Sequence, residues 1–104
     1  MKREKLVRDR IPEIIRDNGE TCCIRTLSKE EYLSALDEKL IEELNEFVQG
    51  DGTTSHEIEE LADLMEVIYA AAEVRGVSPS SLNRMRKEKA KKRGRFTQRI
   101  ALQL

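Results

Sequence analysis

Two stretches of helical periodicity, each carrying acids three residues apart, are separated by a short segment that cannot be helical, and this pattern constrains the fold most. Glu42-Glu43-Leu44-Asn45-Glu46 precedes the connector Gln49-Gly50-Asp51-Gly52-Thr53, and Glu60-Leu61-Ala62-Asp63 follows it. Residues three apart share a helix face, so Glu43 pairs with Glu46 and Glu60 with Asp63. The glycine-bearing connector breaks the helical pattern. A link this short makes its flanking helices antiparallel neighbours. Glu43 and Glu60 lie almost equally far from its centre, so the two pairs are expected at one level, within about one ~5.4 Å turn. Carboxylates converging from two helices repel one another unless a cation lies between them. Several hard oxygen ligands of this kind select Mg²⁺, with Mn²⁺ as the alternative ion.

The orientation of the acids supports this. Counting about 100° per residue around the second helix, Leu61, Leu64, Met65, Ile68, Ala71 and Ala72 form a broad apolar arc. Glu60 falls at its edge and Asp63 beside Val74, so both point toward packed surface, where a charge is costly unless paired or metal-bound. Glu59, Glu66 and Glu73 fall together on a solvated side. On the first helix, Leu33, Leu36, Leu40, Leu44 and Phe47 form the expected core stripe, and Lys39, Glu43 and Glu46 share one flank of it. Glu42 is expected to point nearly opposite. The plainer alternative is a set of solvated faces, because 38% of the chain is charged. Inter-helix ion pairs are a second alternative, but the first helix offers only Lys29 and Lys39 to neutralise so many acids.

The motif Glu42-Glu43-x-x-Glu46 followed by Glu60-x-x-Asp63 resembles that of the MazG-like all-α NTP pyrophosphohydrolases. The opening Lys5-Leu6-Val7-Arg8-Asp9-Arg10-Ile11-Pro12-Glu13-Ile14-Ile15 and the tail Arg86-Lys87-Glu88-Lys89 … Lys92-Arg93-Gly94-Arg95-Phe96 look like a small single-domain branch of that superfamily, so the resemblance covers nearly the whole chain. It implies an all-α fold of about four helices built on an antiparallel hairpin. It also implies hydrolysis of a nucleoside triphosphate to the monophosphate and pyrophosphate, in the manner of nucleotide-pool house-cleaning. Mg²⁺ would be held by Glu43, Glu46, Glu60 and Asp63, and Glu42 or Glu43 would take the proton of the attacking water. The outward direction expected for Glu42 argues against that role in a monomer. Phosphoribosyl-ATP pyrophosphohydrolase shares the fold and chemistry and is the close alternative; a non-catalytic helical interaction module is the alternative of another class. The chain has no G-x-x-x-x-G-K-[ST] phosphate loop, so metal and side chains must hold the phosphates.

Residues 1–104 read as one domain with a modest core, which favours a homodimer or a higher homo-oligomer. Cys22 and Cys23 are adjacent and have no further partners, which points to reduced thiols in the cytoplasm and away from a zinc site. No apolar run approaches ~18 residues, so no membrane span is expected. Met1-Lys2-Arg3-Glu4-Lys5 leads into no apolar stretch of the secretory type. Residues 1–6 are expected as a loose lead-in, and a short helix around Pro12 ends at Asn18-Gly19. For Val7-Arg8-Asp9-Arg10 the simplest reading is a local ion pair between Asp9 and an arginine; the functional one brings Arg8 or Arg10 to the phosphates. Thr21–Leu27 reads as extended. Ser28 and Glu31 have the spacing of a capping box for a helix over 29–48. Within it Lys39 forms an i,i+4 pair with Glu43 or contacts a phosphate. Thr53, Thr54 or Ser55 caps a helix over 56–75. His56, the one histidine, is expected to be solvated. Gly76 ends that helix, Ser78-Pro79 starts the last one, anchored by Leu82 and Met85, and Gly94 ends it. The alternation of Ile100, Leu102 and Leu104 allows a terminal strand, paired with Thr21–Leu27 or with another subunit.

Charge is unevenly spread. Residues 84–99 hold nine Lys or Arg and one acid, whereas the rest of the chain holds ten basic residues against nineteen acidic ones. Asn83, Lys87 and Lys91 share one helix face by their i,i+4 spacing. With Arg93 and Arg95 they are the donors expected to bind a triphosphate. A metal cage beside a basic strip suits a Mg-bound triphosphate, since one holds the ion and the other the outer phosphates. Nucleic-acid binding is disfavoured, because aromatics make up only 4% of the chain and form no stacking platform.

Overall fold

The computed structural model describes residues 4–104 and is all-α. Its helices are α1 (Ile11–Asp17), α2 (Lys29–Val48), α3 (Thr54–Glu73) and α4 (Pro79–Arg93), with no strand among the described residues. The chain forms two compact units, the first ending at Ile68 and the second beginning at Tyr69.

In the first unit, local chemistry sets each boundary. Ser28 Oγ accepts from the Glu31 amide at 3.2 Å, and the Glu31 carboxylate accepts from the Ser28 amide at 3.0 Å, which completes the capping box of α2. Arg25 then clamps Glu31 at 2.7 Å and Glu4 at 2.7 Å, tying the chain start to the beginning of α2. In the connector, Asp51 Oδ1 accepts from the Thr53 amide at 3.0 Å and from the Thr53 hydroxyl at 2.8 Å. This Asx turn places Thr53 so that its carbonyl accepts from the Glu57 amide at 3.0 Å and opens α3. The helix therefore starts at Thr54, two residues ahead of the expected His56. α1 ends with a left-handed Gly19 at φ 83°, the Gly19 amide bonding Arg16 O and the Glu20 amide bonding Ile15 O. That paired pattern satisfies the last carbonyls of a helix, and glycine adopts it without a Cβ penalty.

The lead-in differs from expectation. Residues 1–3 lie outside the described residues, but residues 4–8 are not loose: Glu4, Lys5 and Arg8 each form an ion pair with a distant part of the first unit. Arg10 does pair locally, but with Glu13 at 3.2 Å instead of Asp9. Thr21–Leu27 forms no strand. It is held by single contacts, such as the Arg16 guanidinium on the Cys22 carbonyl at 3.4 Å.

The core is small. Leu36 and Val67 are the buried apolar residues among those described, with Leu33, Leu40, Phe47 and Leu64 half-buried around the same stripes. Leu44, Leu61, Met65 and Ile68, expected in the core, are exposed. The reason is geometric: each apolar arc is wider than a single neighbouring helix can cover.

The second unit begins with the last turns of α3. Its end shows the same pattern as α1, with Gly76 bonding Glu73 O and Val77 bonding Ala72 O. Ser78 caps α4 through the Ser81 amide at 3.2 Å, and Pro79 occupies the first turn. Gly94 follows the end of α4. The tail after it turns at Arg99, with Phe96, Ile100, Leu102 and Leu104 exposed, and is not a strand. No helix of the described residues is long and apolar enough to cross a membrane.

The α2 cap gives a pH-dependent contribution. Arg25, and then Ser28, hold the Glu31 carboxyl down at about 2. A depressed acid stabilises fully above its ordinary range near 4.5 and loses that contribution as the pH falls toward about 2. Glu31→Gln is therefore expected to melt a few degrees below the parent at neutral pH, with the two converging near pH 2, as followed by circular dichroism.

Candidate functional site

The connector returns the chain so that α3 runs back along α2, and the acids meet. Glu42, Glu43 and Glu46 each offer an oxygen within 4.8 Å of the others, and Glu43, Glu60 and Asp63 do the same. Glu43 belongs to both groups and joins the helices. Glu43 and Glu60 are also the buried charged residues among those described, at 7% and 9% exposure. In each, the Oε2 atom is sealed from solvent and has no hydrogen-bond partner. A buried carboxylate oxygen left in this state is strongly disfavoured. Burial, reinforced by Glu46, pushes the Glu43 carboxyl above its ordinary range. Burial, with the neighbouring Glu46 carboxyl next, pushes Glu60 up as well. A hard divalent ion would supply what these oxygens lack, and an all-oxygen set of this size fits Mg²⁺ or Mn²⁺.

Glu42 does not point away from this group. Residues i and i+4 differ by only about 40° around a helix, so Glu46 lies angularly between Glu42 and Glu43 and links them. Two lysines also draw Glu42 inward. Lys5 Nζ lies 2.7 Å from Glu42 Oε1, and Lys39 Nζ lies 3.5 Å from Glu42 Oε2 and 3.5 Å from Glu43 Oε1. The hydrogen bond from Lys5 lowers the Glu42 pKa and raises that of Lys5. Lys39 thus makes the expected ion pair inside the site.

Three features were not anticipated from the sequence. Arg8 donates to Asp63 Oδ1 at 2.7 Å, in place of a local pair with Asp9. His56 is half exposed, but its Nε2 lies 3.4 Å from Glu60 Oε1, one turn further along α3. The i,i+4 spacing of His56 and Glu60 was the available signal. Gly50 leaves room for this ring, since a Cβ there would stand 3.3 Å from His56 Cδ2. A hollow of about 640 Å³ opens beside Glu42 and Glu46 and is lined further along α2 by Asn45 and Gln49, whose amides can both donate and accept.

The expected triphosphate donors Asn83, Lys87 and Lys91 lie on α4, in the second unit, with Arg93 at its end and Arg95 beyond it. Asn83 Oδ1 accepts from Arg86 Nε at 3.0 Å. Lys87, Lys91, Arg93 and Arg95 are exposed.

Against known proteins, residues 14–92 match the family model described as phosphoribosyl-ATP pyrophosphohydrolase. The matched span contains every acid of the two groups. The chain is also similar to an uncharacterized protein of Mycolicibacterium smegmatis (strain ATCC 700084 / mc(2)155), at 60% identity over 47 residues, 45% of this chain. The alignment spans about half the length of that relative, 48%. No solved structure matches.

The repulsion among these acids has a measurable consequence. An acid whose pKa is raised in the folded chain destabilises it above that pKa, and the effect fades as the pH falls through it. In chelator-treated protein, Glu43→Gln is expected to raise the melting temperature at neutral pH and to flatten its rise on acidification. Mn²⁺ at one hundred times its Kd is expected to stabilise the parent by about 2.7 kcal/mol and Glu43→Gln far less, as read by differential scanning calorimetry.

Proposed function

Because the chain belongs to the phosphoribosyl-ATP pyrophosphohydrolase family, within the MazG-like all-α NTP pyrophosphohydrolase superfamily, we propose that it hydrolyses a phosphoanhydride bond of a nucleoside triphosphate, releasing the monophosphate and pyrophosphate. The observation that carries this reading is the pair of buried, unpartnered oxygens, Glu43 Oε2 and Glu60 Oε2, set among acids from two helices. Glu43, Glu46, Glu60 and Asp63 would hold Mg²⁺. When bound, the ion neutralises phosphate charge and acidifies water.

The protein groups divide the remaining work. Glu42 is less buried than Glu43 and borders the hollow, so it is the acid with access to an incoming water and to its proton. Glu43, shared by both acid groups, is better placed as a ligand. Lys39 keeps Glu42 and Glu43 oriented and offers a cation to a phosphate. Asn83, Lys87, Lys91, Arg93 and Arg95 are proposed as further phosphate donors from the basic unit. The amides of Asn45 and Gln49 offer the nucleoside both donors and acceptors. The reading takes residues 1–104 as one MazG-like domain acting on the cytoplasmic nucleotide pool, consistent with its free cysteines.

We also propose a homodimer. Leu44 and Val48 on α2 and Ile58, Leu61, Met65 and Ile68 on α3 are all at least 38% exposed. Counted at about 100° per residue, they lie on the side of the packed stripe away from the acids. Two such faces closing on each other would complete a core that one hairpin leaves open, while the acid side stays accessible.

Two experiments test these readings. A panel of nucleoside triphosphates and phosphoribosyl-ATP with Mg²⁺, scored for pyrophosphate release, is expected to show turnover of a triphosphate. Glu43→Gln and Asp63→Asn are each expected to cut kcat/KM about 100-fold, the scale of ~2.7 kcal/mol in the barrier. No release with any substrate would favour a binding module instead, and release confined to phosphoribosyl-ATP would fix the alternative substrate. In sedimentation velocity the parent is expected as a dimer and Leu61→Glu with Met65→Glu as a folded monomer.

A further inference from the structure

The segment ahead of α1 contributes two cations to the acid hairpin from outside it. Lys5 reaches Glu42 of α2 and Arg8 reaches Asp63 of α3, each at 2.7 Å. The segment therefore bridges both helices through their acids, and its start is fastened by the Glu4–Arg25 pair. Both side chains keep solvent access, at 62% and 56% exposure. They contribute little to the core, and solvent around them leaves room to change partners.

The same segment forms one wall of a groove of about 1140 Å³ whose opposite wall is α2. Lys5, Arg8, Arg25 and Lys39 line it, and it reaches the acid group at Glu42. This is the other side of Glu42 from the hollow bearing Asn45 and Gln49. An anion entering the groove meets these four cations along its length; of the carboxylates that share the lining, Glu4 and Glu31 are paired with Arg25 and Glu42 with Lys5 and Lys39, while Asp9 and Glu38 also border it.

We propose that Lys5 and Arg8 form a cationic strap that stands in for the divalent ion before loading and, once an ion takes over Asp63 and neutralises the acids beside Glu42, holds the outer phosphate oxygens of the substrate. The proposal rests on the metal-dependent reading above. Its physical basis is charge. Five acids converge at the hairpin, and Lys5, Arg8 and Lys39 offset only part of them. A divalent ion competes directly with Arg8 for Asp63, and its charge beside Glu42 weakens the hold on Lys5. The displaced ammonium and guanidinium groups then lie beside an ion-bound polyphosphate, and the planar fork of Arg8 suits two phosphate oxygens at once. The strap thus orders loading, with the ion first and the polyphosphate second.

The test uses the full chain with Mn²⁺ alone, and then inorganic tripolyphosphate at saturating Mn²⁺, both by calorimetric titration. The strap predicts changes of opposite sign. Arg8→Gln removes a competing surface cation and should tighten Mn²⁺ by about 2- to 5-fold. The same variant should weaken tripolyphosphate by about 10-fold, with Arg8→Lys between the two. Lys5→Gln should follow the same pattern more weakly. Circular dichroism melts of each variant check the fold, and these exposed positions are not expected to disturb it. If Arg8→Gln loosens Mn²⁺ or leaves both affinities unchanged while the parent binds Mn²⁺, the strap is wrong and the metal centre stands. If the parent binds no Mn²⁺, the metal centre and the strap fail together.

Discussion

Two carboxylate oxygens, Glu43 Oε2 and Glu60 Oε2, are buried without a hydrogen-bond donor, and the architecture of the first unit follows from that conflict. Elsewhere in a small domain such groups would be pulled into water or matched with an arginine. Here α2 and α3 are held at a fixed offset by the connector, and the acids cannot turn away without leaving the packed stripes. Those stripes bury only Leu36 and Val67 among the described residues, so there is little apolar burial to offset the cost. A chain with this balance gains stability from whatever fills its acid group. Under the proposed metal-binding reading, loading and folding would be coupled, as in small domains whose metal ligands come together only in the native state.

The hairpin separates its tasks by angle. Around each helix the order is acids, packed stripe, exposed apolar residues. Because the helices run antiparallel, the acids of both fall on one edge and the apolar residues of both on the other. Association through the apolar edge, as proposed for the homodimer, would therefore add core without closing the polar edge.

Charge is organised over longer distances than the helices themselves. Arg25 ties Glu4 to Glu31, so the capping box of α2 also anchors the chain start. From that anchor, Lys5 and Arg8 reach one helix each. The segment that opens the sequence is thus part of the acid group's environment. The basic residues of α4 belong to the second unit and remain in solvent.

The sequence by itself determined the local elements. α2 spans 29–48 because the Ser28/Glu31 box and the Gly-bearing connector are local chemistry, and the level of Glu43 with Glu60 follows from counting outward from that connector. Gly19 and Gly76 close their helices for equally local reasons. Only the tertiary structure decided the rest. The Arg8–Asp63 pair joins residues 55 apart, a separation that no helical or turn periodicity encodes. The i,i+4 link through Glu46 already allowed Glu42 into the acid group, but its pairing with Lys5 from the segment ahead of α1 is something a helical wheel of α2 does not contain. Leu44, Leu61 and Met65 came out exposed because an apolar arc says that a face needs cover, not how much of it one neighbour provides. The tail alternates like a strand but is none, since a strand exists only where another backbone offers its hydrogen bonds, and alternation cannot supply one.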